Sequence, residues 1–396
     1  MRVPLLDLSE QYRTLAVPIR AEIDAVLASQ RFILGPQVEA FEKAICNYLN
    51  APRAIGVSSG TDALLAVLMA LDIGPGDAVI TTAYSFFATA GCIARVGATP
   101  LFVDIDPKSF NLSPNALERY IDDRCRPDSD GQLRDRAGRR IRAIIPVHLF
   151  GLCCEMNAIH AVSERWDLEV IEDAAQAIGA EYLTAHMGLR KAGTMGEVGC
   201  FSFYPSKNLG AAGDAGLVVC RSQELAKKMR GVRQHGMEPR YYHDFIGGNF
   251  RLDEIQAAIL KVKLAYLDAW SLARRAAAGF YREEFTHRGL TDRIALPAEP
   301  YRESGLTNHH TYYQFVIGTD KRDALREHLA KCEIETAIYY PLGLHEQKCF
   351  SYLGYKKGDL PATERAARET MALPIYPEIP RAAQRYVVEM IAKFFH

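Results

Sequence analysis

Lys207 lies in the run Gly-Cys-Phe-Ser-Phe-Tyr-Pro-Ser-Lys-Asn-Leu-Gly (199–210), and Asp173 lies 34 positions earlier in Ile-Glu-Asp-Ala-Ala-Gln-Ala (171–177). A lysine amine on a polar, glycine-flanked loop can bond to an aldehyde when its surroundings favour the uncharged form. A carboxylate that ends an apolar strand is costly to bury unless a cation faces it. A protonated ring nitrogen is such a cation. An aldehyde held by a lysine and a pyridine nitrogen held by an acid together describe pyridoxal 5′-phosphate. The plainer readings are a solvated surface lysine and an aspartate that caps a helix.

Other residues fall into the same pattern. Val57-Ser-Ser-Gly-Thr-Asp-Ala-Leu64 follows a short apolar strand and opens a helix. Gly60 lets the backbone approach a ligand, while Ser59, Thr61 and the free amides of the helix start make an anion site that suits a phosphate. The same run is also an ordinary helix cap. Tyr84-Ser-Phe-Phe-Ala-Thr89 sets two aromatics just after the next strand. One can lie flat against a heteroaromatic ring, and the other packs in the core. Gln176, three residues after Asp173, reaches the phenolic oxygen of such a ring if the turn is helical. Ser202 and Lys207 frame the aldehyde end, and a lysine displaced by an incoming amine can carry a proton between two carbons.

The elements that must hold these residues alternate. Short apolar runs at 54–57, 78–81, 99–104, 142–147, 169–172, 199–203 and 216–220 predict strands, and stretches at 61–71, 85–96, 113–121 and 155–166 predict helices between them. Helical spacing also marks 18–30 and a stretch after Gly35-Pro36 with Val38, Phe41 and Ile45 on one face. Strand and helix alternating at this spacing predict a mostly parallel α/β sheet covered on both faces. From about 253 the character changes: helices at 254–267, the 270s to 280s, 322–331 and 382–393 mix with strands at 312–317 and 335–339. We expect a large α/β domain over 1–253 and a smaller α+β domain over 254–396, with the first ~30 residues free to pack on the smaller one.

Composition narrows the classes. The chain has 48% hydrophobic and 24% charged residues and a formal net charge of −1, which gives no basic field for nucleic acid or an anionic membrane. Nine cysteines are scattered without a CxxC pair, as expected of reduced thiols in a cytoplasmic protein. Cys153-Cys154 lacks further ligands at zinc spacing, so no metal is expected. Met1 to Leu8 has no long apolar run, so neither a signal peptide nor a membrane anchor is expected there. The charged stretch 122–140 reads as a solvated surface excursion between a helix and a strand.

The ordered set resembles the DegT/DnrJ/EryC1/StrS family of pyridoxal-phosphate-dependent nucleotide-sugar aminotransferases. It is carried by the phosphate loop, the aromatic pair, Glu-Asp-Ala-Ala-Gln, the lysine run, and Gly247-Gly-Asn-Phe-Arg-Leu-Asp-Glu-Ile-Gln-Ala-Ala258. Pro4-Leu-Leu-Asp-Leu8, Phe32-Ile-Leu-Gly-Pro36, Tyr340-Pro341 and Leu373-Pro-Ile-Tyr-Pro377 extend it nearly end to end. The resemblance implies an aspartate-aminotransferase-like (type I) fold and a homodimer with its sites at the interface. It implies that Phe86 stacks on the cofactor ring, Asp173 pairs with its nitrogen and Gln176 contacts its phenolic oxygen. Gly60, Thr61 and Ser202 would hold the phosphate, Lys207 would bond the aldehyde, and Asn249 would reach the phosphate from the other subunit. Arg251 and Tyr340 fall where relatives contact the nucleotide-sugar; His235 and His345 are family-typical, with a structural role at least as open to both as contact with substrate.

Two departures stand out: the 122–140 stretch exceeds the usual connection, and Tyr339 replaces a histidine that several relatives using uronic-acid sugars carry. The intact lysine argues against the dehydratase branch, where histidine takes its place. The expected reaction moves an amino group from L-glutamate, through the pyridoxamine 5′-phosphate form, onto C3 rather than C4 of a nucleotide-diphosphate-linked keto-hexose. Rival readings are a cyclitol aminotransferase, a sugar dehydratase, and a regulator that keeps the cofactor without turnover.

Overall fold

The structure is a computed structural model that describes residues 1–395. Its strands are β1 (Arg53–Val57), β2 (Asp77–Thr82), β3 (Thr99–Val103), β4 (Cys125–Pro127), β5 (Leu133–Asp135), β6 (Arg140–Ile145) and β7 (Glu169–Asp173). They continue as β8 (Glu181–Thr184), β9 (Gly188–Lys191), β10 (Val198–Ser202), β11 (Gly216–Cys220), β12 (Phe315–Gly318) and β13 (Thr370–Leu373). The helices are α1 (Ser9–Ser29), α2 (Pro36–Leu49), α3 (Gly60–Ala70), α4 (Ala88–Arg95), α5 (Pro114–Arg124) and α6 (Met156–Trp166). After them come α7 (Gln223–Val232), α8 (Glu254–Leu264), α9 (Leu267–His287), α10 (Arg322–Lys331), α11 (Pro361–Glu369) and α12 (Arg381–Phe395).

The central sheet has the order β1-β11-β10-β7-β6-β2-β3. Only β11 runs against its neighbours, β1 and β10; every other pairing on this path is parallel. Both faces are apolar because successive residues alternate sides. In β6, Ala143 and Ile145 pack with α3, α4 and α7, whereas Ile144 packs with α2, α5 and α6. Such a sheet leaves the carboxyl ends of its parallel strands as the open edge, where ligands of open α/β sheets bind.

The smaller unit has its own core. The antiparallel pair β12–β13 packs with α9, α10 and α12 through Phe285, Phe315, Leu325, Leu373 and Val387. Val3 joins this core and bridges Ile334, while α1 lies on α8 and α9 through Leu15, Ile19, Ile259 and Trp270. Ala257 and Leu260 of α8 belong to the core under the large sheet. The division of the chain after residue 253 is therefore a proposal about units, drawn just before a helix that packs under the large sheet.

Three expectations need correction. Residues 335–339 are not a strand; Ala337 makes a single antiparallel bridge to Ala372 before the chain turns to carry Tyr339 and Tyr340 inward. The helix expected over 85–96 begins only at Ala88, which leaves Phe86 and Phe87 on a turn. The stretch 122–140 is a structured hairpin, β4–β5, docked on the start of β6 through the register pair Arg134 and Arg140. Its ladder is tied by Arg134–Asp128 and Arg139–Asp135 ion pairs, each 2.6 Å, and Leu133 is buried in the main core. Among the described residues no helix is long and apolar enough to cross a membrane.

Candidate active site

The open edge of the sheet forms one wall of a cavity of about 690 Å³. β1 delivers Ser59, Gly60 and Thr61 to it, β2 delivers Ser85 and Phe86, β7 delivers Asp173 and Gln176, and β10 delivers Ser202 and Lys207. Tyr313 and Tyr340 close it from the side of the smaller unit. Nine residues singled out from the sequence thus converge: Ser59, Gly60, Thr61, Phe86, Asp173, Gln176, Ser202, Lys207 and Tyr340. Asn249, Arg251 and His235 do not line this cavity. Asn249 and His235 are exposed on a segment that folds back through the Gln234–Asn249 bridge, and Arg251 bridges Val57 through its backbone.

The phosphate end follows from close packing. A β-carbon on Gly60 would stand 2.6 Å from Ser202 Cβ, so glycine lets α3 begin hard against β10. Ser59 caps α3 by accepting the Asp62 amide at 3.0 Å. The amides of Gly60 and Thr61 have no partner among the described residues, which leaves the helix start ready for an anion.

Asp173 lies at the opposite chemical pole. It is buried, its Oδ2 accepts the Thr89 hydroxyl at 2.8 Å, and its Oδ1 accepts the Ala175 amide at 3.2 Å. Burial pushes its carboxyl above the ordinary value, against the pull of Thr89, the Ala175 amide and the nearby charge of Lys207. No ion pair satisfies it among the described residues. A buried acid facing a cavity without a bonded cation fits a protonated pyridine nitrogen. The residues therefore suit pyridoxal 5′-phosphate: free amides at one end, an acid at the other, a lysine between, and the half-exposed ring of Phe86 beside them.

Gln176 is more constrained than its spacing shows. Its Oε1 accepts the Phe150 amide at 2.8 Å and its Nε2 donates to the Tyr340 hydroxyl at 3.1 Å, so one amide hydrogen remains for a ligand. Burial holds the Tyr340 phenol well above its usual range, so it stays protonated at neutral pH. Phe87 stacks on Phe350 with centroids 5.6 Å apart, which leaves Phe86 as the ring that faces the cavity.

Several contributing residues carry no sequence signal of their own. Thr89 sits one turn beyond Phe86, and only the bond to Asp173 reveals it. His148 and Glu172 are fully buried and 2.7 Å apart on the face of β7 opposite Asp173. His148 Nδ1 accepts the Cys154 amide at 3.0 Å, so the ring proton sits on Nε2 and is donated to Glu172. Burial opposes the Glu172 charge, yet His148 and the amides of Gly196 and Gly193 keep its carboxyl below the ordinary range. Because the His148 amide donates to the Asp173 carbonyl at 3.0 Å, this pair braces the end of β7. The alternation that puts Glu172 and Asp173 on opposite faces was the available clue.

Comparison with known proteins agrees with this architecture. Residues 14–392 match the model of the DegT/DnrJ/EryC1/StrS aminotransferase family. A protein of Geobacillus stearothermophilus named "Pleiotropic regulatory protein" is 45% identical over 100% of this chain and 99% of its own. The UDP-N-acetyl-3-dehydro-alpha-D-glucosamine 3-aminotransferase of Acidithiobacillus ferrooxidans is 39% identical over 100% and 98%. The crystal structure of S. venezuelae DesV in complex with a ketimine intermediate superposes with a TM-score of 0.88 at 37% identity, covering 99% of this chain and 98% of DesV. The fold is that of type I pyridoxal-phosphate enzymes, and the chain belongs to the DegT/DnrJ/EryC1/StrS aminotransferase family.

Proposed function

We propose that this chain moves an amino group from L-glutamate to C3 of a nucleotide-diphosphate-linked keto-hexose, as a cytoplasmic homodimer. The chain is a pyridoxal-phosphate-dependent sugar aminotransferase. One observation carries the residue assignments: Lys207, Asp173 and the free amides of Gly60 and Thr61 line a single cavity at the carboxyl edge of the sheet. The C3 preference is supported by the name of the Acidithiobacillus relative and by the segment His235 to His243, which resembles the 3-keto branch.

When bound, the cofactor supplies an aldehyde that takes up an amine and a ring that draws electrons from the carbon beside it. The α3 amides and Ser202 would hold its phosphate, Phe86 its ring face and Asp173 a proton on its nitrogen. Lys207 Nζ, once free, would take a proton from one carbon and return it to another; this is general acid–base work by a single amine. Gln176 and Tyr340, bonded to each other, would fix the ring's oxygen side. In our reading Asn249 of one subunit completes the phosphate site of the other, and Arg251 and His235 lie toward the nucleotide.

The reading is tested by mixing the purified protein with L-glutamate and a UDP-linked 3-keto or 4-keto sugar and locating the new C–N bond by NMR. Amination at C3 is expected. Amination of the 4-keto sugar alone would overturn the regiochemistry. A second reading, a regulator that binds the cofactor without turnover, is favoured by the name of the Geobacillus relative. It predicts no amino transfer from any donor.

A further inference from the structure

Tyr313 lies against the reacting amine, although no motif marked it. Lys207 Nζ stands 4.3 Å from the centre of the Tyr313 ring. The phenol shares a hydrogen bond of 3.2 Å with Ser206, the residue just before the lysine. On the other side, Asn208 Nδ2 donates to the Thr311 carbonyl at 3.0 Å. The lysine loop is thus tied at both flanks to one short strap, 311–313. The strap itself is fixed: the Thr311 amide donates to Gly151 at 2.9 Å, and the buried Arg274 donates to Tyr312 and Ile375 carbonyls at 3.2 and 3.0 Å.

We propose that Tyr313 is a positioning residue for Lys207, whose ring face holds the amine over the cavity between proton transfers. A cation is attracted to the negative face of an aromatic ring, and more strongly where water is excluded. An unbranched lysine side chain otherwise samples many rotamers, so a fixed ring also selects the one that overhangs the cavity. The phenol shows the same closeness: burial works to raise it, yet the charge of Lys207 and hydrogen bonds with Ser206, Gln314 and Lys207 draw it below its ordinary value. The other titratable groups lining the cavity are Asp173, Tyr204, Asp214, Tyr339 and Tyr340. Loss of Tyr313 leaves the carboxylates of Asp173 and Asp214 lining the same cavity, so the effect is partial.

The inference rests on Lys207 being the reacting amine, and its test does not use turnover. The full-length chain, dialysed free of cofactor, is labelled with acetic anhydride across a pH series, and the peptide bearing Lys207 is quantified by mass spectrometry. Tyr313→Leu should lower the labelling midpoint by about half to one and a half pH units, whereas Tyr313→Phe, which keeps the π-face, should lower it less. Tyr313→Met, similar in bulk but without a π-face, serves if the leucine variant fails to fold. An unchanged midpoint in a folded Leu or Met variant overturns the proposal, as does an equal shift in Tyr313→Phe. A wrong assignment of the lysine shows separately: Lys207→Ala would then still develop the cofactor's visible band.

Discussion

Asp173 and Lys207 are the residues whose chemistry the rest of the chain serves. Asp173→Asn keeps the shape and the Ala175 contact, with its amide donating to the Thr89 hydroxyl instead of accepting from it, but removes the charge expected to face the ring nitrogen. Transfer should fall by about a hundredfold or more, with little change in melting temperature, measured by coupled assay and calorimetry. Lys207→Ala should abolish the cofactor's visible band and all transfer. Away from the cavity, Glu299 makes a pH prediction. Burial would raise its carboxyl, but His309, the Tyr312 hydroxyl, Arg282 and Arg302 bring it down to about 2. A depressed carboxyl stabilises the fold above its unfolded value and loses that contribution as pH falls through its folded value. The stability difference between the parent and Glu299→Gln should therefore be full above about pH 5. It should amount to roughly 2–3 kcal/mol and shrink steadily towards pH 2, by urea titration at each pH.

Elements place these residues by where strands stop. Most of that placement is legible in the sequence, because apolar runs bounded by turns mark β1, β2, β6, β7, β10 and β11 to within a few residues. The failures have physical reasons. The segment 335–339 has β-prone residues but only one bridge, because Tyr339 and Tyr340 are diverted to the cavity. The stretch 122–140 is so charged that a hairpin was invisible; its arginines and aspartates pair along the ladder, and one leucine anchors it. Leu133→Ala should accordingly cost about 2–4 kcal/mol in urea unfolding while leaving transfer unchanged, an outcome a loose surface loop would not give. Gly60→Ala should act differently, forcing α3 away from Ser202 and weakening cofactor retention by roughly tenfold or more in equilibrium dialysis. Thr89, Tyr313 and the His148–Glu172 pair were illegible because each acts through a tertiary contact with no local pattern.

At the scale of the whole molecule, the strand ends, Tyr313 and Tyr340 enclose one cavity, and one chain does not bring every expected residue to it. Asn249 and His235 are exposed, next to Tyr241, Tyr242 and Ile246, which present large apolar surface to solvent. If Asn249 serves the partner's phosphate, Lys207→Ala and Asn249→Asp chains, each inactive alone, should regain roughly a quarter of parental activity when refolded together, since half the chains pair as hybrids with one intact site in two. No recovery in confirmed hybrids would remove Asn249 from the site. The central claim is that the cavity holds pyridoxal phosphate on Lys207 and exchanges its oxygen for an amine. Its most direct test is the visible spectrum of the purified protein before and after L-glutamate. A band near roughly 410–430 nm should give way to one near about 330 nm. A protein that shows no such band, even after incubation with pyridoxal 5′-phosphate, would contradict the claim.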